Sequence, residues 1–277
     1  MRILILGAGW LGTRLHAGLE SAGHEVSWLW GDFATVVASE RPELVINAAG
    51  KSGTPNVDWC EDHPIETLTA NTLLPLNLAK VCAERGVRLL HLGSGCVFNG
   101  PGPFDEHSHG APLSVYARTK YAADLALLTF PNVAIVRLRM PFDGVPHPRN
   151  LITKLAGYRR LINESNSLTS VSDLVDVVCA LALRPHANGV FHAVNPGAVH
   201  HATIIELYRE LVAPEHQIEA WLTLSELYSQ GLARAPRSNV VLSNTRLPAL
   251  GIHMRPTFDA LRAALTEYAT HVPATST

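Results

Sequence analysis

The chain opens with Met1-Arg-Ile-Leu-Ile-Leu-Gly7 and continues into Gly7-Ala-Gly9-Trp10-Leu11-Gly12. No other stretch constrains the fold as much. Residues 2–7 carry nothing polar after Arg2 and read as a buried parallel strand. They are too few for a signal peptide. A helix follows to about residue 22, Gly23-His-Glu is a turn, and Val26 to Trp30 is a second strand. In the order strand, G-x-G-x-x-G, helix, strand, the glycines allow a tight turn. They also let a pyrophosphate approach the helix N-terminus, whose free N–H groups and dipole favour an anion. A plain turn is the competing reading. The position between strand and helix favours a dinucleotide loop formed by Gly7, Gly9, Trp10, Leu11 and Gly12.

Asp32, 20 residues past Gly12, has two open readings. Its carboxylate could take the ribose hydroxyls of NAD, or it could cap the short helix Phe33 to Ser39. Residues 44–48 form the next strand and open into Ala48, Ala49 and Gly50, small residues that suit a cofactor passing close to the backbone. Asn56 to His63 is a polar loop, and Pro64 to Glu84 a long helix. Asn71 on that helix either orients a water or the catalytic lysine, or is a surface or backbone-bonding residue. The Pro/Gly/His-rich loop Gly100 to Pro112 could cover a substrate. His107 and His109 there lack an accompanying carboxylate or Cys pattern, so no metal is expected. Met140 to Pro148 breaks regular structure and marks entry into a smaller, substrate-facing unit.

Strands alternating with helices predict an α/β fold, a Rossmann-like doubly wound parallel sheet with a smaller C-terminal sub-domain. The larger unit is expected over 1–140 plus about 170–196. The substrate sub-domain is expected over 141–169 plus 197–277, with a last helix at Thr257 to Tyr268 and a frayed tail. A net charge of −2 offers no basic surface for nucleic acid. No segment is long enough for a membrane span. The four cysteines lack paired spacing, so free thiols in a reducing cytoplasm are expected.

The chemistry centres on two neighbouring stretches. Val87 to Leu92 is an apolar strand that ends in Ser94 and Cys96, and Tyr116-Ala-Arg-Thr-Lys120 puts Tyr116 and Lys120 on one helix face. A ketone that accepts hydride builds negative charge on oxygen. Tyr116 can donate a proton to it, and Lys120 with a cationic nicotinamide would lower a tyrosine pKa of ~10. Ser94 would add a hydrogen bond to the same oxygen. Cys96, two residues past Ser94, would face the same side of an extended strand. By its chemistry alone it reads as an inert buried thiol.

These stretches resemble the extended short-chain dehydrogenase/reductase family. Within it they resemble the dTDP-4-dehydrorhamnose reductase branch, most closely its nucleotide-rhamnose synthase epimerase/reductases. The likeness is carried in order by Asn47-Ala-Ala-Gly50, Pro55-Asn56-Val-Asp-Trp-Cys-Glu61, Ser94-Gly-Cys-Val-Phe98, Tyr116 with Thr119-Lys120, Arg137-Leu-Arg-Met140-Pro141, Pro148-Arg-Asn-Leu-Ile-Thr-Lys154, Asn195-Pro-Gly197 and Ala235-Pro-Arg-Ser-Asn239. The resemblance implies that Ser94, Tyr116 and Lys120 reduce a C4 ketone with NADP or NAD. It also implies that Cys96 and Lys154 act as base and acid at C3 and C5. Met140, Tyr116 and Lys120 then touch the cofactor. Asn56, Asn150 and Arg237 face a nucleotide-sugar, with Arg237 pairing a phosphate. A homodimer is compatible with it.

Two departures stand at the adenosine end. The family's loop has two residues between successive glycines, whereas the first gap here has one. The segment before Leu44 is also short, as though a strand were merged or lost. They leave NAD against NADP open. They also motivate one alternative, a cofactor-binding regulatory subunit without turnover; a separate alternative is a monofunctional nucleotide-sugar ketoreductase or epimerase that keeps only one of the activities.

Overall fold

The computed structural model describes residues 1–272, so the expectation for the tail beyond them lies outside the described residues. β1 (Arg2–Leu6), β3 (Leu44–Asn47), β4 (Arg88–Ser94) and β5 (Val133–Leu138) are buried along almost their whole length. β2 (Glu25–Trp28) alternates between exposed and half-buried positions and forms an edge. With the strand Gly189–Ala193 they make one six-stranded parallel sheet. Its order is Gly189–Ala193, β5, β4, β3, β1, β2. The order reverses between β1 and β3, and ligands of open α/β sheets bind at such a switch point. Only β2 lies beyond β1, in keeping with the strand missed in the sequence.

Period-2 alternation sorts the side chains to two faces. Ile3, Ile5, Leu90 and Leu92 pack with Leu15 and Leu19 of helix α1 (Trp10–Ser21) and with Leu174 and Val178 of the helix Val171–Ala182. Leu4, Leu6, Leu89 and Ile135 pack with Leu78, Cys82, Ala123 and Leu127 on the other face.

The smaller unit has its own core, with Phe142, Ile152, Ile204, Leu261 and Leu265 among its members. Its strands pair in twos, Ala220–Leu222 with Arg160–Ile162 and Val199–His200 with Ser165–Asn166. The boundary drawn at 197 does not describe all of this packing. Leu247, Ile252 and Met254 belong to the core of the large sheet.

Three expectations need correction. Asn56 to His63 is not all loop, because Asp58–Asp62 is helical. Pro64 to Glu84 is not one α-helix: Pro64–Leu68 and Leu74–Glu84 flank a π-helical turn at Thr69–Leu73. Pro75 lacks the N–H that would bond the Asn71 carbonyl, so the ladder widens there. The loop 100–112 does not cover the cavity. The Phe104 N–H donates to the Val241 carbonyl at 3.0 Å, and the carboxylate of Glu106 accepts from the N–H groups of Thr245 and Arg246. Among the described residues, no helix is long and apolar enough to cross a membrane.

Gly12 shows how tight the first turn is. A β-carbon there would stand 1.9 Å from the Gly7 carbonyl oxygen. Gly12→Ala is expected to cost about 1–3 kcal/mol of stability by overpacking. The test is a urea titration, in which the midpoint should fall while the slope stays unchanged.

Candidate active site

β4 delivers Ser94 to the carboxyl edge of the sheet. The Ser94 hydroxyl oxygen accepts the Cys96 N–H at 3.1 Å and caps the short 3-10 turn Gly95–Val97. That turn leaves Cys96 half-buried. The helix Val115–Leu127 begins at Ser114, whose side-chain oxygen accepts the Ala117 N–H, so Tyr116 lies in its first turn and Lys120 one turn on. Lys120 is only 4% exposed and donates to the Leu92 carbonyl at 2.7 Å. Burial brings its pKa down to about 8, with Asp124 opposing. Burial also raises the Tyr116 phenol well above its usual value, with Cys96 adding to the rise. A hydrogen bond with Ser94 pulls the other way.

Asn71 takes the backbone-bonding role. Its Oδ1 accepts the Lys51 N–H at 2.7 Å, and its Nδ2 donates to the Lys51 carbonyl at 2.9 Å and to Thr119 Oγ1 at 3.3 Å. Thr72, the next residue, donates to the Thr119 carbonyl at 2.7 Å. In a regular α-helix, successive side chains diverge around the axis. The π turn lets both reach the Tyr116/Lys120 helix.

The loop after β1 fits a dinucleotide. Gly9 caps α1 with no side-chain bond, and a β-carbon there would meet nothing within 4 Å, so the start of the helix has room beside it. A β-carbon on Gly7 would lie 2.5 Å from the Ala49 nitrogen, so the Gly7 turn and the Ala48–Gly50 segment run against each other at the switch point. Trp10 stacks on His147 of the smaller unit with centroids 5.2 Å apart, and Arg14 pairs with Asp143 at 2.9 Å. Leu11 packs against the sheet core. Asp32 serves as the cap of α2 (Phe33–Glu40): one oxygen accepts both the Thr35 N–H at 2.9 Å and its hydroxyl at 2.7 Å. These hydrogen bonds hold its carboxyl below the usual value.

A cavity of about 590 Å³ lies between the two units, lined by Cys96, Tyr116, Met140 and Asn56. Six cationic side chains line it as well (Arg139, Arg149, Lys154, Arg159, Arg160 and Arg237), and among the described residues no Asp or Glu does. Burial, then Arg149, lowers the pKa of Lys154. Arg237 is already paired: its guanidinium makes a bidentate bridge to Asp58 at 2.7 and 3.0 Å. Asn150 is a correction. It is fully buried, its Oδ1 accepts the Ile152 N–H at 3.0 Å, and its Nδ2 donates to the carbonyls of Asp143 and Val145. It caps a helix and ties a loop, and it does not reach the cavity.

Arg139 escaped the sequence reading. It donates through Nη1 to Cys96 Sγ at 2.9 Å and through Nη2 to Asn166 Oδ1 at 2.6 Å and to the Ser238 carbonyl. It is 5% exposed, and no carboxylate among the described residues pairs with it. An arginine closing an apolar strand was the available signal. His201, also in the lining, was missed too; burial pulls it down to about 4, so it is neutral.

The family model described as RmlD substrate binding domain matches residues 1–270. A bifunctional dTDP-4-dehydrorhamnose 3,5-epimerase/dTDP-4-dehydrorhamnose reductase of Arabidopsis thaliana is 34% identical over 257 residues, which are 86% of this chain and 83% of that protein. The crystal structure of the L780 UDP-rhamnose synthase from Acanthamoeba polyphaga mimivirus matches with a TM-score of 0.89 at 26% identity, covering 96% of this chain and 99% of that one. A dTDP-4-dehydrorhamnose reductase from Bacillus anthracis in complex with NADP matches with a TM-score of 0.82 over 98% and 99% of the two chains. At 20% identity this last likeness bears on the fold. The chain spans 39% of the length of longer trifunctional relatives from Arabidopsis thaliana.

Proposed function

Because the chain belongs to the RmlD substrate binding domain family, we propose that it is an NAD(P)H-dependent reductase of an NDP-4-keto-6-deoxyhexose that also epimerises C3 and C5. The product would be an NDP-rhamnose-type sugar. The observation that carries this reading is the meeting of Tyr116 and Cys96 in one cavity whose lining is cationic and free of carboxylates. A nucleoside diphosphate brings the anionic charge that such a lining suits.

Gly7, Gly9, Gly12 and Ala48–Gly50 would hold the nicotinamide dinucleotide, which when bound supplies the hydride. The chain's own groups do the rest. Tyr116 gives its phenolic proton to the C4 oxygen, and Ser94 donates a hydrogen bond to that oxygen. Lys120 places positive charge behind Tyr116 and favours the tyrosinate left after transfer. For inversion, Cys96 takes the proton from the carbon beside the carbonyl and Lys154 returns one from the other face. Arg139, 2.9 Å from Cys96 Sγ, is the cation that suits an anionic sulfur.

The test mixes the protein with NADH or NADPH and the UDP- or dTDP-4-keto-6-deoxyglucose, follows cofactor oxidation and identifies the sugar by NMR. A rhamno-configured product is expected. Reduction without inversion would remove Cys96 and Lys154 from the mechanism, and no turnover with any of the four pairs would overturn the reading.

Arg237→Met should act on binding. It removes a cation from the cavity and leaves Asp58 with the Ala235 N–H but without its ion pair. A rise in KM of about tenfold or more, with a smaller change in kcat, is expected from steady-state kinetics.

A further inference from the structure

Behind the Tyr116/Lys120 pair lies a polar row that the proposed reaction does not use. Asn47 and His91 are paired residues of β3 and β4, and both are fully buried. Asn47 Nδ2 lies 3.1 Å from His91 Nδ1, and His91 Nε2 lies 3.3 Å from Lys120 Nζ. The far side of the amide fixes its orientation: Asn47 Oδ1 accepts the Ala49 N–H at 3.0 Å, so the NH2 end faces the ring. Nδ1 is therefore an acceptor, and the one hydrogen of a neutral imidazole sits on Nε2, aimed at Lys120. An ammonium facing that N–H sets two donors against each other. A neutral amine accepts from it.

We propose that His91, held by Asn47 as the Nε2–H tautomer, is a positioning residue that favours the neutral amine of Lys120. In this way it sets the pH above which Lys120 stops supporting Tyr116. The second clause rests on the ketoreductase reading; the first does not.

The other groups around Lys120 leave His91 this influence. Asp124, one turn on along the same helix, favours the ammonium. Its carboxylate is bridged at 2.8 Å by Arg137 from β5, which offsets its charge. Tyr116 on the same helix has its phenol raised by burial and is neutral at ordinary pH. From the π turn, Asn71 Oδ1 is taken by the Lys51 N–H. From β4, the Leu92 carbonyl accepts one Lys120 hydrogen whether the amine is charged or neutral. Burial and the nearby lysine hold His91 well below its usual value, so the ring is neutral. The same row runs on to Ala49, so the segment that would hold the cofactor and the lysine share one hydrogen-bonded support.

Two measurements test this. Long-range nitrogen–proton NMR on histidine-labelled wild-type protein reads the tautomer directly; a protonated Nε2 with a bare Nδ1 is expected, and the reverse overturns the proposal. The second follows the titration of Lys120 by NMR in lysine-labelled wild type and His91→Phe, which keeps a ring and has no N–H, and needs no substrate. A rise of about one pH unit is expected when the N–H donor is lost, and an unmoved titration overturns the proposal. If the protein reduces the keto-sugar, the alkaline limb of kcat should move up with it. A purely structural role would lower kcat at every pH without moving the limb. Absence of turnover would count against the ketoreductase reading alone, since both NMR readouts remain. If His91→Phe does not fold, the wild-type tautomer decides.

Discussion

Tyr116→Phe is expected to lower kcat for ketone reduction by about 10²–10⁴-fold, the range for loss of a positioned acid. KM should change little, because the ring that lines the cavity remains. The sign of the pH effect follows from the shifts. Burial raises the Tyr116 phenol, so at neutral pH it is protonated and able to donate. Burial brings Lys120 down to about 8, so of this pair it is the one that changes charge first as pH rises. Wild-type kcat should therefore hold below that value and fall as pH rises through it, as the cation behind Tyr116 is lost. Stopped-flow oxidation of the nicotinamide across pH measures both effects. Near wild-type rates in Tyr116→Phe would show that the proton comes from elsewhere.

Cys96→Ala should separate the two halves of the reaction. Among the described residues, Cys96 is the one cysteine in the cavity lining. Without it, deuterium uptake at C3 and C5 from heavy water should fall by about 10²-fold or more, while reduction of a sugar that needs no inversion continues. Arg139→Met should follow the same pattern, because the guanidinium contact to Sγ goes with it. Unchanged exchange in Cys96→Ala, measured by NMR without added reductant, would assign the base to another group. If reduction and exchange fell by the same factor, the thiol would be acting on the fold of the Gly95–Val97 turn and not on carbon acidity.

Much of this layout was legible in the chain. The apolar runs at 2–7, 44–48 and 87–92 are local patterns, and they became strands of one parallel sheet. The gap at the adenosine end correctly announced a sheet with only β2 beyond β1. Tyr116 and Lys120 were fixed relative to one another by helix spacing alone. Asn150 was misplaced because a polar residue opening a helix can face a ligand or cap its own backbone, and local sequence does not distinguish the two. For Asp32 the two readings were balanced, and the Thr35 N–H and hydroxyl supply the bonds of the cap. The break in the helix at Thr69–Leu73 had a local cause in Pro75, but its use, carrying Asn71 and Thr72 to Thr119, depended on a partner helix.

The sequence by itself determined the order of strands and helices, the glycine turn at the first helix, and which polar residues lie at strand ends. These follow from short-range rules of period, cap and turn, which act over a few residues. The tertiary structure decided which charges are spent and which are free. Arg237 meets Asp58 from 179 positions away, Arg139 finds Cys96 across 43, and His91 stands between Asn47 and Lys120 from three separate elements. Electrostatic and hydrogen-bond energies depend on distance and burial in space, so a row of residue types cannot state them until the chain has closed around them.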